Sequence, residues 1–141
     1  MRLAILFLTL IFLIDLVFGL GFRFYRLFYF DITLHSLGGF FVAMFFYAYL
    51  KDSIKTRFLK IALIIVGATV LIGTIWEFAE YSATGLIGNY LYDKYGIICC
   101  IGNLDDTLND LAMDIIGAIT FVLVILNPST SRPRRERPEW L

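Results

Sequence analysis

Four apolar runs organise the chain: residues 3–21, 32–50, 61–79 and 107–126. Each is close to the about 20 residues that a membrane-spanning helix needs. Polar interruptions are sparse. Thr9 and Asp15 break the first run, His35 stands near the start of the second, and Glu77 near the end of the third. Asn109, Asp110 and Asp114 fall in the opening turns of the fourth. Apolar residues surround each run instead of forming one stripe, as helices facing lipid require. The pattern predicts an all-α membrane protein, a four-helix transmembrane bundle forming one domain over residues 1–128, with a basic tail at 129–141. Asp15 and the length of the first run argue for a span there and against a cleavable signal.

The connections differ in chemistry. Residues 22–30 carry six aromatics with Arg23 and Arg26, a mixture suited to an aromatic belt at headgroup level. Residues 51–60 form a short polar turn with four cations. Residues 80–106 contain Tyr81, Tyr90, Tyr92, Tyr95 and several glycines, which predicts a long interfacial or re-entrant third connection. Cys99 and Cys100 are adjacent there. Two cysteines make no disulfide framework, so they read as buried loop residues, and a redox role is left open.

Composition narrows the class. Hydrophobic residues make up 60% and charged residues 17%, with a mean hydropathy of +0.80. Soluble domains average roughly 45–50% and about 25%. Such a chain is too apolar to be disordered, and a soluble core this small could not hide so much apolar surface. A formal net charge of zero leaves no basic surplus to track phosphates, which excludes general nucleic-acid binding.

That zero is the sum of two opposed layers. With four spans, both termini and the 51–60 turn share one side of the membrane. Nine of the 12 lysines and arginines lie there: Arg2, four in the turn, and Arg132, Arg134, Arg135 and Arg137 of the tail. Arg23, Arg26 and Lys94 lie on the other side. The positive-inside rule then predicts both termini cytoplasmic, in a prokaryotic inner membrane. Nine of the 12 acids collect on the outer side or in the outer leaflet, more than topology needs, because acids contribute little to orientation.

Alternating helix direction brings these acids to one depth. Glu77 and Glu80 are i,i+3 neighbours, and Asp106, Asp110 and Asp114 form an i,i+4,i+8 ladder that Gly117 extends. His35 shares a face with Gly39, and Gly39-x-x-x-Ala43 is a spacing that lets helices approach closely. Charged groups at bilayer depth cost about 2.5–3.5 kcal/mol on insertion scales, so they face a bundle interior. The expectation is an outward-open cavity lined by His35, Glu77, Glu80, Asp106, Asp110 and Asp114. Asp15 either completes it or pairs with an arginine.

One imidazole among carboxylates suits a divalent metal such as Zn, Mn, Fe or Mg. In that reading Glu77, Asp110 and His35 are the catalytic candidates of a hydrolase or transferase, and Glu80, Asp106 and Asp114 are further ligands. Its substrate is a lipid-linked phosphate or a polar headgroup, with Arg23 and Arg26 holding the phosphate. Two other readings stay open: an ion- or proton-binding transporter or channel component, and a structural, hydrogen-bonded carboxylate cluster. The bilayer is the expected partner, and a homo-oligomer is compatible with any of these. No His-Glu-x-x-His, nucleophile elbow or P-loop is present in the sequence.

Three ordered motifs add a resemblance. Phe30-Asp31-x-x-x-His35-x-x-Gly38-Gly39, then Glu77-x-x-Glu80-Tyr81, then Asp106-x-x-x-Asp110 with Gly117, resemble the YjdF-like bacterial inner-membrane proteins over about residues 30–120. More distantly, the chain is similar to VanZ-like proteins. Asp110-x-x-x-Asp114-x-x-Gly117 stands where those carry Asp-x-x-x-Asn-x-x-Gly. The resemblance implies a multi-pass membrane protein. It supplies no activity, because the YjdF-like group is biochemically uncharacterised and the VanZ-like link to glycopeptide-antibiotic tolerance has no clear mechanism.

Overall fold

The computed structural model describes residues 1–21, 28–53, 58–97 and 104–125, except the side chains of residues 20, 21 and 28. The described residues are helical apart from Met1, the turn at 51–53 and a short stretch at 96–97. Helix α1 spans Arg2–Ile14 and continues as a wider π-helical stretch, Asp15–Gly21. Helix α2 is Phe28–Leu50 and α3 is Phe58–Ala83. After π-helical Thr84–Gly88 come α4, Asn89–Tyr95, and α5, Leu104–Ile125. Four helical stretches are long and apolar enough to cross a membrane: Arg2–Gly19, Tyr29–Leu50, Phe58–Tyr95 and Leu104–Ile125.

The third of these departs from the sequence expectation. Residues 80–95 are helical, so α3 and α4 form one run of 38 residues. At 1.5 Å per residue that is about 57 Å, nearly twice a ~30 Å hydrocarbon core. Gly85 and Gly88 had suggested a loop. A helix tolerates each for about 1 kcal/mol relative to alanine, and no proline intervenes before Pro128. The widened turn at Thr84–Gly88 accommodates both glycines without breaking the rod. The helix ends at Gly96, whose φ of 63° lies in the left-handed region. There Gly96 N–H donates to Tyr92 O and Ile97 N–H to Leu91 O, occupying carbonyls that a helix end leaves open. Lys94 Nζ donates to Tyr90 Oη at 2.8 Å and lies over the Tyr90 and Tyr95 rings. That cation–aromatic cluster suits a membrane–water boundary.

Lipid tails are as apolar as leucine, so helices in a bilayer associate by close packing rather than by the hydrophobic effect. Helices α2 and α5 make the most extensive contact, α3 packs on both, and α1 rests chiefly on α2. The α2–α5 crossing is built on glycine. A Cβ on Gly39 would fall on the backbone of Asp114, and one on Gly117 on the Ser36 carbonyl. Beyond the crossing, Ala43, Ile65, Ala118, Phe121 and Val122 form a buried core. Phe121 meets Phe40 and Tyr47 with ring centroids 5.4 and 5.9 Å apart. Helix α1 docks by stacking Phe7 on Phe41 at 4.5 Å.

These contacts give the bundle interior an apolar half and a polar half. Met1, the 51–53 turn and Ile125 lie toward the first, and Asp31, Glu80 and Leu104 toward the second. In the apolar half, the hydroxyls of Thr69 and Thr120 donate to carbonyls four residues back in their own helices.

Candidate functional site

His35 stands two turns into α2 and is 7% exposed. Its Nε2 is 3.7 Å from Asp31 Oδ1, one turn earlier, and its Nδ1 is 3.6 Å from Asp114 Oδ1 on α5. The imidazole therefore ties α2 to α5 just above their glycine crossing. Asp114 reaches it because two glycines leave room. Its backbone lies against Gly39, and its Oδ2 occupies the space where a Gly73 side chain would stand on α3. Gly73 thus sets how closely α3 approaches the imidazole–carboxylate pair.

Around this pair the structure gathers further acids. Asp31, His35 and Asp110 each offer one ligand atom, and these atoms lie within 4.8 Å of one another. His35, Glu77 and Glu80 do the same. The two triads share the imidazole. Glu77, Asp110 and Asp114 are buried, at 5%, 3% and 6% exposure, whereas Asp31, Glu80 and Asp106 are half-buried. Both carboxylate oxygens of Glu77, Asp110 Oδ1 and Asp114 Oδ2 are buried without a hydrogen-bond partner. A carboxylate in that condition is costly in a low-dielectric interior unless a proton or a cation accompanies it.

A cavity of about 150 Å³ opens beside the cluster. One wall is polar, with Asp15, Asp31, His35, Glu80 and Asp114. The apolar lining comes mainly from α1 and α3, with Phe12, Ile72 and Trp76 prominent. Asp15 begins the π-helical stretch of α1, a widening that frequently accompanies functional positions. Between α3 and α5 a second cavity of about 280 Å³ is lined by Thr74, Glu77, Tyr81, Thr107 and Leu111 among others.

Of the residues singled out in the sequence, His35, Glu77, Glu80, Asp110 and Asp114 come together. Asp106 lies one turn before Asp110, half-buried and outside both triads. Arg23, Arg26, Cys99 and Cys100 fall outside the described residues. Asp31 had no assigned role, and the structure places it in the cluster. Its signal was the i,i+4 spacing to His35, the rule that aligned the acids of α5.

An all-helical bundle with four apolar crossings and a polar cluster buried among them defines a multi-pass membrane protein. The chain belongs to the DUF2238 family of predicted membrane proteins, whose family model matches residues 1–129. The YjdF-like resemblance fits this family loosely, and nothing in the comparisons shows the VanZ-like one. An uncharacterised protein of Thermotoga maritima is 31% identical over 121 residues, which is 82% of this chain and 58% of that protein. The chain thus spans a little over half the length of that relative. No solved structure matches.

Proposed function

We propose that the cluster is an intramembrane divalent-cation site, and that the cation serves a hydrolase or transferase reaction on a lipid-linked phosphate or polar headgroup. The unpartnered buried oxygens of Glu77 and Asp110 carry this reading, because each of these residues offers a carboxylate oxygen at ligand spacing from the same imidazole. Asp31, His35 and Asp110 would hold the ion as one group, and His35 with Glu77 and Glu80 as another. One nitrogen with several oxygens suits Zn, Mn, Fe or Mg. Such an ion polarises a phosphoryl oxygen and lowers the pKa of bound water.

Metal analysis of the purified protein beside His35→Ala and Asp110→Asn tests the site. The expected result is about one divalent ion per chain, lost in both variants. Metal-free protein whose variants keep normal stability would falsify the site. Metal-free protein whose variants unfold would show the cluster to be structural glue.

A second reading, an ion- or proton-binding transporter component, is supported by Glu77, which lines the second cavity and lies at ligand spacing from His35 and Glu80 of the first. Under it, vesicles containing the protein dissipate an imposed proton or cation gradient, and Glu77→Gln vesicles do not.

We further propose a prokaryotic inner membrane and a cytoplasmic location for both termini, on the strength of the nine-to-three division of cations. Alkaline phosphatase, which is active only in the periplasm, is expected to be inactive when fused after Pro128. Activity there inverts the orientation.

A further inference from the structure

We infer that the cavity beside His35 receives a phosphate-headed, single-chain amphiphile sideways from the bilayer, through the cleft between α1 and α3. The inference rests on the cation site for the choice of head group, and on the shape of the cleft for the route. Helix α1 leans on α2 and makes little contact with α3, yet both α1 and α3 line the cavity. Across it Phe12 of α1 meets Trp76 of α3 edge-on, with ring centroids 6.1 Å apart. Phe12 is 49% and Ile72 40% exposed, so the rim of the cavity is also outer surface of the bundle. In a bilayer that surface touches acyl chains, and the cavity mouth therefore opens into hydrocarbon.

The lining is sorted to match. An apolar rim leads to a polar floor of His35, Glu80 and Asp114. A ligand entering this way keeps its chain among lipid tails, against Phe12 and Ile72, and carries a polar head to the floor. At about 150 Å³ the cavity far exceeds the ~10–15 Å³ that one ordered water needs. A divalent cation held by these carboxylates would offer a coordination position to a phosphoryl oxygen, and that is the basis for choosing a phosphate over a neutral head. Phe12 and Trp76 are then the two leaves of a side door, and neither ring must leave a packed core to open it.

Trp76 reports on this door. Trp140→Phe leaves it as the sole tryptophan. The protein is placed in phosphatidylcholine vesicles and titrated with dodecyl phosphate brominated near its head. The matched control is the brominated dodecyl alcohol. Half-quenching by the phosphate is expected at a mole fraction at least tenfold lower than by the alcohol. Unbrominated dodecyl phosphate restores the emission, and inorganic phosphate does not.

Parallel quenching by phosphate and alcohol overturns the inference, because any lipid-exposed tryptophan behaves so. Competition by inorganic phosphate as strong as by dodecyl phosphate also overturns it, in favour of a soluble ligand. Ile72→Phe narrows the mouth from an exposed position and is expected to weaken the phosphate-specific quench at least fivefold. An unchanged quench in that variant removes the proposed route. Metal content of the same samples separates the two readings. Bound metal with parallel quenching overturns the lateral route alone. Selective quenching of metal-free protein upholds the route and overturns the cation site.

Discussion

Gly117→Leu is expected to take the bundle apart. Gly117 sits where α5 crosses α2, and a Cβ there would overlap the Ser36 carbonyl and crowd the Phe40 amide. These obstacles are backbone atoms held in helical hydrogen bonds, so they cannot swing aside as a side chain would. Relief requires the helix axes to separate. Separation withdraws Asp114 from His35 and opens the packing of Phe121 on Phe40. Overpacking a core costs about 1–3 kcal/mol and sometimes more, and the loss of close helix approach removes the main source of association in lipid. A loss of at least ~3 kcal/mol is expected, read from unfolding by SDS in mixed micelles followed by Trp76 fluorescence. Gly38→Ala and Gly67→Ala are the controls. A Cβ at either position meets nothing within 4 Å, so each should be neutral or stabilising by up to about 1 kcal/mol through helix propensity. If Gly117→Leu unfolds no more easily than these two, the α2–α5 crossing is not the keystone described.

A second large effect is expected from cations on stability. If the cluster binds a divalent ion, protein stripped with a chelator should resist SDS less than the loaded form. Saturating ion then stabilises by about 2.7 kcal/mol at one hundred times Kd and about 4.1 at one thousand times. The increment should vanish in Asp110→Asn and His35→Ala and shrink in Glu77→Gln. The stripped forms give a contrasting signature. Glu77 is buried with neither oxygen hydrogen-bonded, so removing its charge takes away a burden when no ion is present. Stripped Glu77→Gln should therefore match or exceed the stability of the stripped parent. A loss of stability in Glu77→Gln equal with and without ion would point instead to a structural carboxylate cluster.

Helical periodicity made much of this arrangement readable. The spacing of Asp110, Asp114 and Gly117 placed them on one face, and all three are buried. Gly39 and Ala43 stood out by their small-residue spacing, and both lie buried on α2. Such inferences work because they depend only on local geometry and on the cost of polar groups in lipid.

What escaped the sequence depends on other helices. Gly73 looked like any glycine in an apolar run. Its purpose appears only once Asp114 of α5 is laid against it. Periodicity could not decide that Asp110 is buried and Asp106 half-buried, because both lie on the same stripe and differ in depth along the bundle. The helix over residues 80–95 was hidden by glycines and tyrosines, whose local preferences yield to a rod already nucleated by α3.

The pairing of α2 with α5 also sets a schedule for biogenesis. Asp114 follows His35 by roughly eighty residues, and at about 5–20 residues per second the ribosome needs some 4–16 seconds to deliver it. During that interval α2 is in place with its imidazole facing no acid from α5, and Gly39 awaits the helix that will cross it. Of the four described spans, α5 emerges after the others and completes the packing on α2 and α3. Damage to α5 during synthesis would therefore leave α2 and α3 without the helix on which both pack.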